Sequence, residues 1–159
     1  ACLRSALESN HQVRPAAPRA APVTALSVVV SFLRKRAPKK AKMSLDKIPE
    51  EKICDAVLDQ NIFSGVGNII KNEVLYRCCI HPESLTGKIP PEKIDELIAE
   101  CSIYSFEFLY WKKKFELKQH WEAYTKPLCL RCNLPFLKKQ TGERKRRSFL
   151  FTICQNLYI

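Results

Sequence analysis

The chain has 159 residues, room for one domain with a small appendage, and its 46% apolar content is ordinary for a folded domain. The net charge of +11 is uneven: residues 1–43 carry nine Lys/Arg and one acid, 44–126 eleven and fourteen, and 127–159 seven and one. Basic ends flanking a near-neutral centre fit arms or a finger touching a polyanion rather than uniform basicity.

Residues 1–43 read as a disordered basic tail or linker, because Pro15, Pro18, Pro22 and Pro38 interrupt any periodicity. The apolar run 23–33 is too short to span a bilayer, which needs roughly 20 residues. Arg34-Lys35-Arg36 follows it where a signal peptide would need small residues. The Ala/Arg/Pro-rich, acid-poor composition is compatible with an organellar transit segment, and a chain that does not begin with Met reads as a fragment.

A helix–two-turn–helix domain is expected over 44–126. Its first helix is predicted over 49–58, with Pro49 in the first turn followed by Glu50 and Glu51, and with Ile53, Cys54, Val57 and Leu58 on one face. The connection carries Gly65 and Gly67, two of the chain's four glycines, and runs directly into a second helix predicted from Gly67 to Arg77. Glycine permits φ > 0 and close backbone approach, and a helix N-terminus offers unpaired amides and the positive end of a dipole. Together they form a seat for a phosphate, although the same glycines could serve tight packing alone. Glu73 and Arg77 are spaced as an i,i+4 pair, and Lys71 reads as an exposed lysine beside the seat, acting electrostatically. His81-Pro82 ends the unit. A third helix is predicted over 91–115 from the stripe Ile94, Leu97, Ile98, Cys101, Tyr104 and Phe108, with Lys112-Lys113-Lys114 as a solvated end.

From Pro127 onward, turns alternate with short apolar runs, which predicts a small zinc-finger-like β-hairpin over 127–159. Cys129-x-x-Cys132 is half of a tetrahedral zinc site. Cys154 fits the second knuckle, but its partner position holds Phe151, leaving three thiolates where a closed site needs four ligands. His120 is a weak substitute. Arg144-Lys145-Arg146-Arg147 follows the expected turn at Gly142, where guanidinium groups can fork onto phosphates. Cys54, Cys78 and Cys101 fall on apolar helix faces as core residues, so the cysteine pattern fits a reducing, intracellular compartment.

Leu58-Asp59-Gln60-Asn61, Gly65-Val66-Gly67-Asn68-Ile69-Ile70-Lys71-Asn72-Glu73, His81-Pro82, Tyr124, Cys129-x-x-Cys132 and Arg146-x-Ser148-Phe149 leading to Cys154-Gln155 together cover residues 44–156. In that order they resemble the C-terminal half of the formamidopyrimidine-DNA glycosylase/endonuclease VIII family of base-excision repair enzymes. The resemblance implies a mainly α fold that grips damaged or abasic duplex DNA as a monomer, in the nucleus, the nucleoid or an organelle. It implies that Gly65, Gly67 and Asn68 hold a backbone phosphate and that Tyr124 donates to its neighbour. Arg146, with Arg147, would clamp the phosphates around a flipped-out oxidised base. Catalysis in the family rests on an N-terminal Pro-Glu amine nucleophile in a β-sandwich domain, and no residue of this chain matches it. Three readings stay open: the DNA-binding part of a glycosylase/AP lyase, a non-catalytic DNA-binding remnant or truncated paralogue, and an RNA-binding module.

Overall fold

The computed structural model describes residues 38–159. The expectations for the tail up to residue 37, including the apolar run and the transit segment, lie outside the described residues. The described chain begins with helix α1, residues 38–45, which overlaps the end of the 1–43 stretch. Ala41 and Leu45 of α1 are buried in the main core, which anchors the segment.

The helix predicted over 49–58 is corrected: only α2, Ile53–Ala56, is helical. Lys52 is extended and bridges Leu85, and the Glu51 carbonyl accepts the Thr86 amide, so the Pro49–Lys52 stretch is drawn into tertiary pairing. The second helix, α3 (Asn68–Arg77), starts one residue after Gly67, its N-cap. The third, α4 (Pro91–Lys113), is the longest and has Pro at its first position, where a missing N–H is harmless. The hairpin pairs β1 (Leu137–Thr141) with β2 (Arg146–Leu150) antiparallel, in the register Leu137↔Leu150 to Thr141↔Arg146, with Gly142 in the turn as expected.

The α3 helix is the hub of the structure. Its apolar side (Ile70, Val74, Leu75) packs with Leu97, Ile98, Cys101 and Tyr104 of α4 in the main core. Leu75 and Leu97 are fully buried, each stabilising the fold by about 1.5–3 kcal/mol. A second cluster, built from Tyr76, Ala123, Cys129, Phe136, Phe149 and Phe151, lies under the hairpin. From the sequence, Lys71 is expected to lie exposed on α3. In the structure Lys71, Asn72 and Glu73 are buried too, because the hairpin and the 122–124 segment cover that face. The expected Glu73–Arg77 pair does not form. Arg77 instead reaches Glu100 at 2.8 Å, Glu107 at 3.2 Å and Glu122 at 2.7 Å, which leaves Glu73 free for another task.

Candidate nucleic-acid interface

The turn ahead of α3 is braced by one amide side chain. The Gln60 Oε1 accepts the Gly65 N–H at 2.9 Å, and its Nε2 donates to the Val66 carbonyl at 3.0 Å. Asp59 closes the entry by accepting the Asn61 amide at 2.9 Å. With Gly65 at φ +83, the backbone swings through a conformation that other residues rarely adopt. Gly67 caps α3 without a side-chain hydrogen bond, so the first-turn amides are left to a ligand or water. Gly65, Gly67 and Asn68 line an open depression of about 360 Å³, closed on its other sides by Phe108, Tyr124 and Arg146. Five residues singled out in sequence, from three distant segments, thus share one surface.

Two consecutive buried residues of α3 hold the far wall. Glu73 accepts the amides of Glu122 at 2.8 Å, Ala123 at 3.1 Å and Tyr124 at 2.7 Å. Burial holds its carboxyl above the ordinary range, and those three hydrogen bonds offset only part of that rise. They fix the backbone that presents Tyr124, whose ring packs edge-on against Phe149 and Trp121, each with centroids 5.1 Å apart. Asn72 takes the Phe149 amide at 2.8 Å and donates to the Asn68 carbonyl at 2.7 Å.

The hairpin is seated on α3 through one carbonyl. The Arg147 oxygen accepts from Asn68 Nδ2 at 3.1 Å, from Lys71 Nζ at 3.3 Å and from Asn72 Nδ2 at 3.3 Å. Lys71 also donates to Ser148 Oγ at 2.7 Å and is fully buried, which corrects the expectation of an exposed lysine. The hairpin that covers it lies 77 positions away, beyond the reach of helical periodicity. Burial is the main cause of its lowered pKa, about 8, with Cys54 and Asp55 acting the other way. Asn68 lines the depression, yet its amide N–H is engaged by the hairpin and its Oδ1 is buried without a partner. Arg146 faces the depression, and Arg147 is exposed on the hairpin beside it.

The turn itself docks on α2. Asp55, buried, accepts the Glu143 amide at 2.7 Å and the Arg144 amide at 3.3 Å. Gly142, at φ +72, lies so close that a Cβ there would fall 2.5 Å from both Asp55 Cγ and Oδ1. Sequence reasoning missed Asp55, Asn72 and Glu73 as site-building residues. A buried carboxylate acting on a distant turn has no local signature.

The Sγ atoms of Cys129, Cys132 and Cys154 lie within 4.8 Å of one another, as expected of a shared metal site. Phe151 occupies the apolar cluster and packs edge-on to Phe136 at 6.4 Å. His120 is corrected as a substitute ligand: it stacks on Trp111 at 4.2 Å and is outside the thiol cluster. Burial acts to raise the Cys129 pKa, but hydrogen bonds from Tyr76, from the amides of Arg131 and Cys132 and from the Cys132 thiol bring it below the ordinary thiol range. Burial and the neighbouring thiols push Cys154 up to about 12. The three thiols form a donor set that could hold a metal ion, one ligand short of the four that a closed site needs.

Residues 31–106 match the formamidopyrimidine-DNA glycosylase H2TH domain. The chain carries an H2TH domain of the formamidopyrimidine-DNA glycosylase/endonuclease VIII family. It is 31% identical over 117 residues to Endonuclease 8-like 3 of Xenopus laevis, covering 73% of this chain and 19% of that protein. Identity to the Homo sapiens Endonuclease 8-like 3 is 29% over 154 residues, covering 96% and 24%. Endonuclease 8-like 2 of Bos taurus is 40% identical over 81 residues, covering 50% and 24%. The chain thus spans at most about a quarter of the length of these curated relatives. Among solved structures, a viral DNA glycosylase is similar at TM-score 0.62 and 26% identity, over 82% of this chain and 46% of that one. The Lactococcus lactis formamidopyrimidine-DNA glycosylase bound non-covalently to DNA containing an AP site shares the fold at TM-score 0.68 and 23% identity, over 84% and 55%. No helix among the described residues is long and apolar enough to cross a membrane.

Proposed function

We propose that this chain is the damaged-DNA-holding part of a base-excision repair glycosylase/AP lyase, gripping the phosphates that flank an abasic or flipped-out oxidised nucleotide. The observation that carries this reading is the shared depression, where the Gly65–Asn68 turn, Tyr124 and Arg146 converge. Amides at the N-terminus of α3 suit a phosphate oxygen, and the Arg146 guanidinium on a braced hairpin suits its neighbour. Such contacts position a duplex and carry little sequence information, as required of a site for a lesion rather than a sequence.

Lys71 is not the amine of an AP lyase, because its Nζ is buried and bonded to Ser148 and Arg147. Cys129, Cys132 and Cys154 supply three of the four ligands of a closed zinc site, so zinc is expected to bind there weakly, and an ion so held would cross-link the knuckle to the C-terminal segment. The free cysteines among the described residues favour a reducing compartment, and DNA as partner favours the nucleus or nucleoid.

The test is binding to an abasic-site duplex by fluorescence anisotropy across a salt series. Arg146→Ala is expected to weaken binding to every duplex and to reduce the log–log salt slope by about 0.9, the loss of one phosphate contact. An unchanged slope removes Arg146 from the interface and sinks the reading. Borohydride treatment of the same complex is expected to trap no adduct at Lys71, and an adduct mapped there overturns that assignment.

A further inference from the structure

The C-terminal end of α4 has a feature that neither packing nor backbone preference explains. The helix closes with the Phe115 amide donating to the Lys112 carbonyl at 3.2 Å and the Glu116 amide to the Trp111 carbonyl at 3.0 Å. This is the paired capping arrangement whose first residue past the cap adopts a left-handed conformation and is usually glycine. Here that residue is Phe115, at φ +60. It is also 95% exposed, the most exposed large apolar residue among those described. A bulky side chain at positive φ and an aromatic ring held in water are each unfavourable, and one residue combines both.

Its surroundings give the ring a use. Lys112, Lys113, Lys114 and Lys118 are exposed around it. The Lys114 ammonium sits 4.4 Å from the Tyr110 ring, and Trp111 is stacked on His120. The same helix lines the phosphate depression through Phe108, seven residues earlier and therefore about 10 Å away along the axis. An unpaired strand leaving the depression along α4 would meet a lysine cluster and then a free aromatic face.

We propose that the C-terminal end of α4 is a single-stranded DNA site in which Phe115 stacks on an unpaired base while Lys112, Lys113, Lys114 and Lys118 carry the strand's phosphates. Bases inside an intact duplex have both faces covered by their neighbours, whereas an unpaired base offers a free face to a protruding ring. Such stacking tolerates any sequence. The proposal rests on the DNA-binding reading above and adds a strand contact outside the depression.

Phe115→Gly tests it, because glycine suits the positive φ and removes the ring, so Tm is expected to hold or rise. With the full chain and a labelled oligothymidylate, the glycine variant is expected to bind about 5- to 150-fold more weakly, the factor that one stacked base supplies. Binding to a blunt abasic-site duplex is expected to be unchanged, and Phe115→Trp is expected to restore oligothymidylate binding. Oligothymidylate binding that is absent in the parent or unmoved by Phe115→Gly overturns the proposal, as does an equal loss on the duplex. Self-association that disappears in Phe115→Gly while oligothymidylate binding stays assigns the ring to a protein contact and also overturns it. Failure of the DNA-binding reading shows separately, as Arg146→Ala leaving duplex binding intact.

Discussion

Replacing Gly142 by Ala should unseat the hairpin, and the structure allows the effect to be divided. The added Cβ would sit 2.5 Å from Asp55 Cγ and Oδ1, so the carboxylate must move away from the Glu143 and Arg144 amides that it accepts at 2.7 and 3.3 Å. Hydrogen bonds to a charged group contribute about 1.5–3 kcal/mol each, and a non-glycine residue in the left-handed region adds about 1–2 kcal/mol. Allowing for relaxation of a surface turn, the substitution is expected to destabilise by about 3–5 kcal/mol, a large share of a typical domain's stability. The decisive measurement is a cycle with Asp55→Ala, read by urea denaturation on tryptophan fluorescence. Without the carboxylate, Gly142→Ala should lose only its backbone strain, giving a coupling of about 2–3 kcal/mol between two positions distant in sequence. Additive effects would refute the clamp and leave the hairpin's orientation without this explanation.

Two further outcomes follow from the same structure. The folded pKa of Lys71, about 8 through burial, lies below its ordinary 10.5, so between those values the unfolded chain binds the extra proton and stability rises with pH. Relative to Lys71→Met, the parent chain should gain up to about 3 kcal/mol from pH 7 to 11 by chemical denaturation, and a flat difference would show that the amine is solvated. Phe151→Cys should raise zinc content toward one ion per chain in equilibrium dialysis by completing the ligand set, while weakening the metal-free form by the loss of an aromatic core residue. A parent chain that already holds one zinc as tightly would show that three thiolates suffice.

The sequence was most informative where chemistry and local geometry coincide. The glycines at 65 and 67, the start of α3, the long stripe of α4 and the hairpin turn at Gly142 all depend on residues within a few positions of one another. The thiol cluster was legible from the spacing expected of two knuckles, although Cys154 lies 25 positions from Cys129. What stayed hidden depends on distant covering. Lys71, Asn72 and Glu73 have the polarity of a wet helix face, and only the hairpin and the 122–124 segment turn them into buried fasteners. The Glu73–Arg77 spacing is suitable for a pair, yet Arg77 finds three carboxylates elsewhere and a Tyr104 ring at 4.6 Å. Pro49-Glu50-Glu51 has the chemistry of a helix start, but its carbonyls are taken by the Thr86 and Gly87 amides and the stretch forms a turn, with Lys52 extended after it. Local propensity gave way to tertiary contacts in each case.

The triple acceptance at the Arg147 carbonyl has a mechanical consequence. Three donors from consecutive turns of α3 converge on the peptide that carries the arginine pair, and Asp55 fixes the tip a few residues away. The helix end and the arginine tip therefore behave as jaws of a vice with no hinge between them. On the proposed reading, these bonds set the spacing between the two phosphate contacts, so a duplex bound there would have to supply the bending itself. A nucleotide step weakened by damage yields more easily than an intact one, and a fixed spacing of this kind would convert that difference in stiffness into selection.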